Sequence, residues 1–151
     1  MEDDMSTRAI YTFCDSDDEA KDVHVYKHHD GYPYNGGVHN GTAYEAGGLV
    51  WINDAKAFAW DLPRFEADEF AASFVAANKS DGGGVRLIGD QKPWEYASDC
   101  DYWYKVWLWM GDLHVTVMSV DWFGEVREHC VEMEGPLDEL LATQRARKEV
   151  A

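Results

Sequence analysis

Residues 102–120, YWYKVWLWMGDLHVTVMSV, hold two runs of β-branched and aromatic side chains on either side of a Gly-Asp pair. Two such runs separated by two turn-forming residues predict a tight β-hairpin. With Gly111 and Asp112 as the turn, Met110 faces Leu113, Trp109 faces His114, Leu108 faces Val115 and Trp107 faces Thr116. Side chains alternate across a strand, so one face takes Tyr104, Val106, Leu108, Met110, Leu113, Val115 and Val117, an apolar set suited to packing on helices. The other takes Trp103, Lys105, Trp107, Trp109, His114, Thr116 and Met118. That aromatic face, marked by polar groups, is a contact surface if it is open to solvent. It is a second core if the stretch 29–48 folds across it.

The remaining elements are read outward from this hairpin. RAIYTFC (8–14) and DVHVYKH (22–28) have strand composition and flank the acidic turn DSDDEAKD, which predicts an N-terminal hairpin. Residues 29–48 are punctuated by Gly, Pro and Asn and read as loop. LVWINDAKAFAWDL (49–62) places Trp51, Ala55, Phe58 and Leu62 on one helical face, with Pro63 as the stop, and EADEFAASFVAANK (66–79) predicts a second helix. VRLIG and VREHCVEME supply two further strands. GPLDELLATQRARKEV predicts a C-terminal helix with acids early and Arg145, Arg147 and Lys148 late, in agreement with the helix dipole. The expectation is one α+β domain over residues 1–151, with an antiparallel sheet of about five strands, two central helices and a C-terminal helix. Residues 1–5 read as a disordered acidic extension, and Met5 as a second start.

Composition bounds the function. A chain of 151 residues, 46% hydrophobic with seven Trp, eight Tyr and six Phe, is too apolar to be disordered and long enough to bury a core. No apolar run has the roughly 20 residues of a membrane span, and MEDDMSTRAIY lacks the basic then apolar order of a signal peptide, so a cytoplasmic location is expected. Cys14, Cys100 and Cys130 form no CxxC pair and are odd in number, which disfavours a zinc ribbon or a closed disulfide framework. The formal net charge of −16 repels nucleic acid and anionic lipid, since binding either depends on Lys and Arg. The same charge serves solubility, or else imitates a phosphate backbone and occupies a basic groove on a partner protein.

The stretch VHVYKHHDGYPYNGG (23–37) concentrates histidines and tyrosines. His24, His28 and Asp30 are the candidate metal ligands, with His29 and His39 nearby, because neutral imidazoles and a carboxylate suit zinc or a non-haem metal. No standard ligand spacing is met, and a structural role for these rings is the competing account. HVT at 114–116 resembles one half of the paired His-x-Thr motif of two-histidine phosphoesterases. That chemistry needs a second positioned proton carrier, so His24 or His28 would have to join His114 and Thr116. No phosphate-binding loop and no nucleophile elbow is present, and no cofactor is expected.

STRAIYTF, VYKHHDGYPY and LPRFEADEFAASFVAANK together resemble a group of small uncharacterised bacteriophage and prophage proteins, over about residues 6–79. The resemblance implies a phage context, in which small acidic domains often antagonise host defence by binding. The expected function is therefore an anti-CRISPR-like acidic interaction protein, a nucleic-acid mimic that inhibits a host nucleic-acid-handling or defence complex stoichiometrically. Its expected partner is a host protein or nucleoprotein complex with a basic surface, with no direct nucleic-acid binding and no membrane. In this reading Asp15, Asp17, Asp18 and Glu19 meet basic groups of the partner. His28, His29, Asp30, Tyr32, Tyr34, Trp103, Trp107 and Trp109 are the candidate contact residues. The alternatives are a histidine- or metal-dependent hydrolase built on His24, His28, His29 and His114, a protein that sequesters a small signalling nucleotide, and a homodimer joined through the tryptophan face.

Overall fold

Every residue of strand β1 (Ala9–Phe13) is buried, which places it at the centre of a sheet and not at an edge. The computed structural model describes residues 7–15, 18–89, 100–123 and 126–150; the proposed extension 1–5 lies outside them, as does Asp17. On one side β1 pairs antiparallel with β2 (Val23–Lys27), as the N-terminal hairpin predicts. On the other it runs parallel to β6 (Tyr102–Trp109). Strand β5 (Val85–Ile88) extends the sheet beyond β2, and β7 (Asp112–Phe123) and β8 (Val126–Pro136) extend it beyond β6. The order is β5-β2-β1-β6-β7-β8, a mixed sheet of six strands in a single α+β domain. The fold class agrees with the expectation; the additions are the parallel pair and a second, two-stranded sheet.

That second sheet is a ribbon of β3 (Asn35–His39) and β4 (Thr42–Ala46), inside the stretch read as loop. Asn40 and Gly41 close it with φ of 53° and 79°. Two successive left-handed residues make the turn whose twist matches paired strands, and Asn-Gly is its preferred sequence. The central hairpin closes in the same way one residue earlier than expected, at Met110 and Gly111, with φ of 50° and 86°. Trp109 therefore faces Asp112, Trp107 faces His114 and Lys105 faces Thr116. The faces survive because the pairing slides by two residues, which preserves side-chain alternation. Met110 alone leaves the core face for the turn.

Three helices cover one side of the sheet: α1 (Gly48–Ala55), α2 (Ala67–Asn78) and α3 (Leu137–Val150). Helix α1 stops seven residues before the expected end at Leu62, and turns lead from it toward α2. Ala55 is buried in the core, but Phe58, 59% exposed, does not continue the buried face. The core on this side joins Tyr11, Phe13, Tyr104, Val106 and Val115 of the sheet to Leu49, Ile52, Phe70, Phe74 and Leu141 of the helices. Each such side chain contributes about 1.5–3 kcal/mol on burial. The ring of Tyr11 stacks on Tyr104, centroids 4.7 Å apart, and tilts against Phe74 at 4.6 Å. A smaller cluster of Ile10, Tyr26, Ile88, Cys100, Trp103 and Met118 is buried on the opposite face.

Candidate functional site

The histidine-rich loop is tied to the helical side of the sheet by its backbone. Gly31 donates to Thr7 O at 2.9 Å, Tyr104 Oη donates to Gly31 O at 2.5 Å, and Gly48 donates to Tyr32 O at 2.7 Å. Trp51 Nε1 donates to Asp30 O at 2.9 Å, and the buried Lys27 places Nζ 4.7 Å from the Trp51 ring centre. Tyr32 donates to Asp30 Oδ1 at 2.9 Å; burial pushes its phenol up to about 12, and Asp30 adds to the rise. Tyr34 donates to Glu45 Oε2 at 2.6 Å. The loop does not cross the tryptophan face, and the hydroxyls of Tyr32 and Tyr34 are engaged with carboxylates of the chain itself.

The candidate ligands do not converge. His24 and His28 are separated by four residues along β2 and its end, roughly 13 Å at strand rise. His28 Nδ1 lies 2.8 Å from Tyr26 Oη and 3.2 Å from Arg8 Nε, and its ring meets His29 edge-on at 4.6 Å. His24 and His114 share a sheet face, but β1 and β6 stand between their strands and His114 lies two residues out of register, so the separation is roughly 16 Å. Among the described residues no three His, Cys, Asp or Glu side chains come together to hold a metal. Thr116 donates to Glu134 Oε2 at 2.5 Å, and His114 stacks on Trp107 at 5.8 Å. The proton-sharing pair that a phosphodiesterase needs is not assembled by His24, His28 and His114.

Trp103 is not an open anchor. It is 8% exposed, and its Nε1 donates to Thr12 Oγ1 at 2.9 Å. Thr12 Oγ1 in turn lies 2.7 Å from His24 Nδ1. The threonine hydroxyl accepts from the indole and shares a hydrogen bond with the His24 ring, whose pKa is lowered by burial with Lys105 adding to that shift. Lys105 Nζ stands 4.8 Å from the Trp103 ring and His129 meets its edge at 5.2 Å. The polar residues of this face therefore hold Trp103 inside the sheet.

Moving toward the C-terminal end of β6, the aromatic face opens. Trp107 is half-buried, Trp109 is 57% exposed and Met110 is 85% exposed at the turn. The connection from β1 to β2 leaves the sheet at this same end, because β1 and β6 run parallel; Cys14 donates to Val106 O at 2.8 Å. Along that connection Asp15 N donates to Asp22 Oδ1 at 3.3 Å, and Asp18 caps a 3-10 turn at Glu19–Lys21 by accepting from Ala20 N at 2.9 Å. Burial raises the Asp22 carboxyl pKa; the hydrogen bond from Asp15 N and the charge of Lys105 oppose the rise, and the charge of Glu19 adds to it. Burial likewise pushes the Cys14 thiol up to about 11, which keeps it protonated and unreactive. The acidic connection carrying Asp15, Asp18, Glu19 and Asp22 and the hairpin turn with its exposed indole and thioether thus lie at the same end of the sheet.

A cleft opens elsewhere, between the β3–β4 ribbon and helices α1 and α3. Glu45 crosses it to Arg145, with Oε2 to Nε at 2.7 Å and Oε1 to Nη2 at 2.9 Å. Hydrogen bonding from Arg145 is the main cause that lowers the Glu45 pKa. Of the residues lining this cleft the sequence marks Tyr34, as a candidate contact residue; the Asn-Gly turn at 40–41 is the signal for the ribbon that forms one wall.

Comparison with family models, with curated proteins and with solved structures finds no match to the chain. No described helix is long and apolar enough to cross a membrane.

Proposed function

We propose that this protein acts by stoichiometric binding, and that Trp109 and Met110 at the β6–β7 turn insert into a partner whose basic groups meet the acidic corner at the same end of the sheet. The carrying observation is that two features share one end of the sheet: exposed apolar side chains at the hairpin turn, and the acidic β1–β2 connection with Asp15, Asp18 and Glu19. Exposed aromatic anchors are where binding energy concentrates, and surrounding charge sets steering and register. The net charge of −16 adds a field that favours a basic partner and rejects nucleic acid itself. The resemblance of residues 6–79 to phage and prophage proteins supports a host nucleic-acid-handling or defence complex as that partner. The protein then imitates the charge of a nucleic acid and occupies the groove made for one.

Capture from nuclease-treated host lysate tests this reading. The immobilised protein should retain a basic nucleic-acid-handling protein at about 50 mM salt and release it by about 500 mM, as screening requires. Added DNA should compete. Trp109→Ala with Met110→Ser, and separately Asp15→Lys with Asp18→Lys and Glu19→Lys, should each abolish retention. Retention unchanged by both sets would remove this corner as the binding site.

A further inference from the structure

Between the β3–β4 ribbon and the helices lies a cleft of about 790 Å³, broadly open to solvent and within the size range of small-ligand sites. Register places Gly36, Val38, Ala43 and Glu45 on one ribbon face, and these residues form one wall. A Cβ at Gly36 would lie 2.6 Å from the Tyr34 hydroxyl, so a side chain there would displace the phenol from its bond to Glu45. On the helical wall, Arg145 is held in a fixed orientation: Glu45 takes its Nε and Nη2, while Tyr34 donates to the same carboxylate. Those bonds leave the Nη1 edge of the guanidinium for another acceptor. Lys148 follows three residues later on the same side of the helix and forms no ion pair among the described residues. Across the cleft on α1, the Asp54 carboxylate accepts no hydrogen bond from the described residues, and burial raises its pKa with help from Glu45.

We propose that this cleft binds a nucleoside monophosphate, with the phosphate on Arg145 and Lys148, an amino group of the base on Asp54, and the ring against Val38 and Ala43. The arrangement asks for a ligand that carries an anion at one end and an N–H donor at the other, with a flat apolar body between. It also sets an upper limit on ligand charge. Glu45 is neutralised by Arg145, which leaves Lys148 and Asp54 in balance, inside a protein of net charge −16. Each further phosphate adds negative charge that no described cation of the cleft offsets, so a monophosphate is favoured over a triphosphate. This site is separate from the acidic corner, so either can fail without the other.

The test is a ¹⁵N–¹H spectral titration of the full chain with adenosine 5′-monophosphate. The expected result is saturable shifts at Gly36, Gly37 and the Arg145 Nε signal. Adenosine, inorganic phosphate, adenosine triphosphate and purine riboside 5′-monophosphate, which has no N–H donor on its base, should each bind about tenfold more weakly, a loss of about 1.4 kcal/mol. Lys148→Glu should weaken the monophosphate by a similar factor without moving the thermal midpoint. The proposal is overturned by no shift in the cleft at millimolar nucleotide, by phosphate alone reproducing the shifts, or by undiminished affinity in Lys148→Glu.

Discussion

Two adjacent residues of β1 lose one hydroxyl each in the substitutions Tyr11→Phe and Thr12→Val, and the structure assigns the two losses opposite signs. Thr12 is 2% exposed and its hydroxyl both accepts from the buried Trp103 indole and bonds His24. Valine keeps the shape and removes both bonds. A buried donor left unpaired costs about 1–3 kcal/mol, and the bond to half-buried His24 adds about 1 kcal/mol less the hydration that Nδ1 regains, for a total near 2 kcal/mol. In a domain of this size that lowers the thermal midpoint by roughly 4–8 °C. Tyr11 is fully buried, and its Oη has no hydrogen-bond partner among the described residues. Phenylalanine there relieves the cost of a desolvated hydroxyl, so stability should rise by about 1 kcal/mol. Urea unfolding followed by tryptophan fluorescence, with the m-value checked for constancy, measures both. A Tyr11→Phe loss as large as that of Thr12→Val would refute the account of how the two faces of β1 are satisfied.

Further outcomes follow from the same contacts. His24 has its pKa lowered by burial, so the unfolded chain takes up a proton first as pH falls; its contribution is complete above about pH 6.5 and is lost as pH drops through the lower folded value. His24→Gln should flatten that part of the stability–pH profile while leaving its alkaline side unchanged. Gly48→Ala would place a Cβ 2.2 Å from Tyr104 Cζ, against a ring that is fully buried, and should cost about 3 kcal/mol or prevent folding, as read by circular dichroism. Trp109→Ala and Met110→Ser remove exposed side chains and should change unfolding free energy by less than about 0.5 kcal/mol, which a denaturant titration checks.

What could be read in advance was what period and local turn chemistry carry. The alternation in YWYKVWLW and LHVTVMSV gave both faces of the central hairpin correctly even though the turn lies at Met110–Gly111, because a two-residue slide keeps side chains on their own sides. The parallel pairing of β1 with β6 joins residues about ninety apart in sequence, and no local pattern records such a contact. The end of α1 at Ala55 was hidden because Phe58 and Leu62 continue its spacing; only packing shows that Phe58 points to solvent. For the site, charge marked the acidic turn and aromatic content marked the hairpin, but which indole is free depended on what lies next to each. Trp103 has a threonine hydroxyl under its N–H, whereas Trp109 extends past the end of β1. The histidines drew notice by density, and the structure uses His24 and His28 as hydrogen-bond partners of Thr12, Tyr26 and Arg8.

The central claim is that an acidic corner at the same end of the sheet as Trp109 steers and anchors this protein on a basic partner. Stopped-flow association with the captured partner, recorded across ionic strength, tests it most directly. The account predicts that replacing Asp15, Asp18 and Glu19 by lysine slows low-salt association about tenfold or more and flattens its salt dependence. It predicts that Trp109→Ala leaves association little changed and speeds dissociation. Association rates that ignore the charge reversal, with dissociation that ignores the loss of the indole, would contradict it.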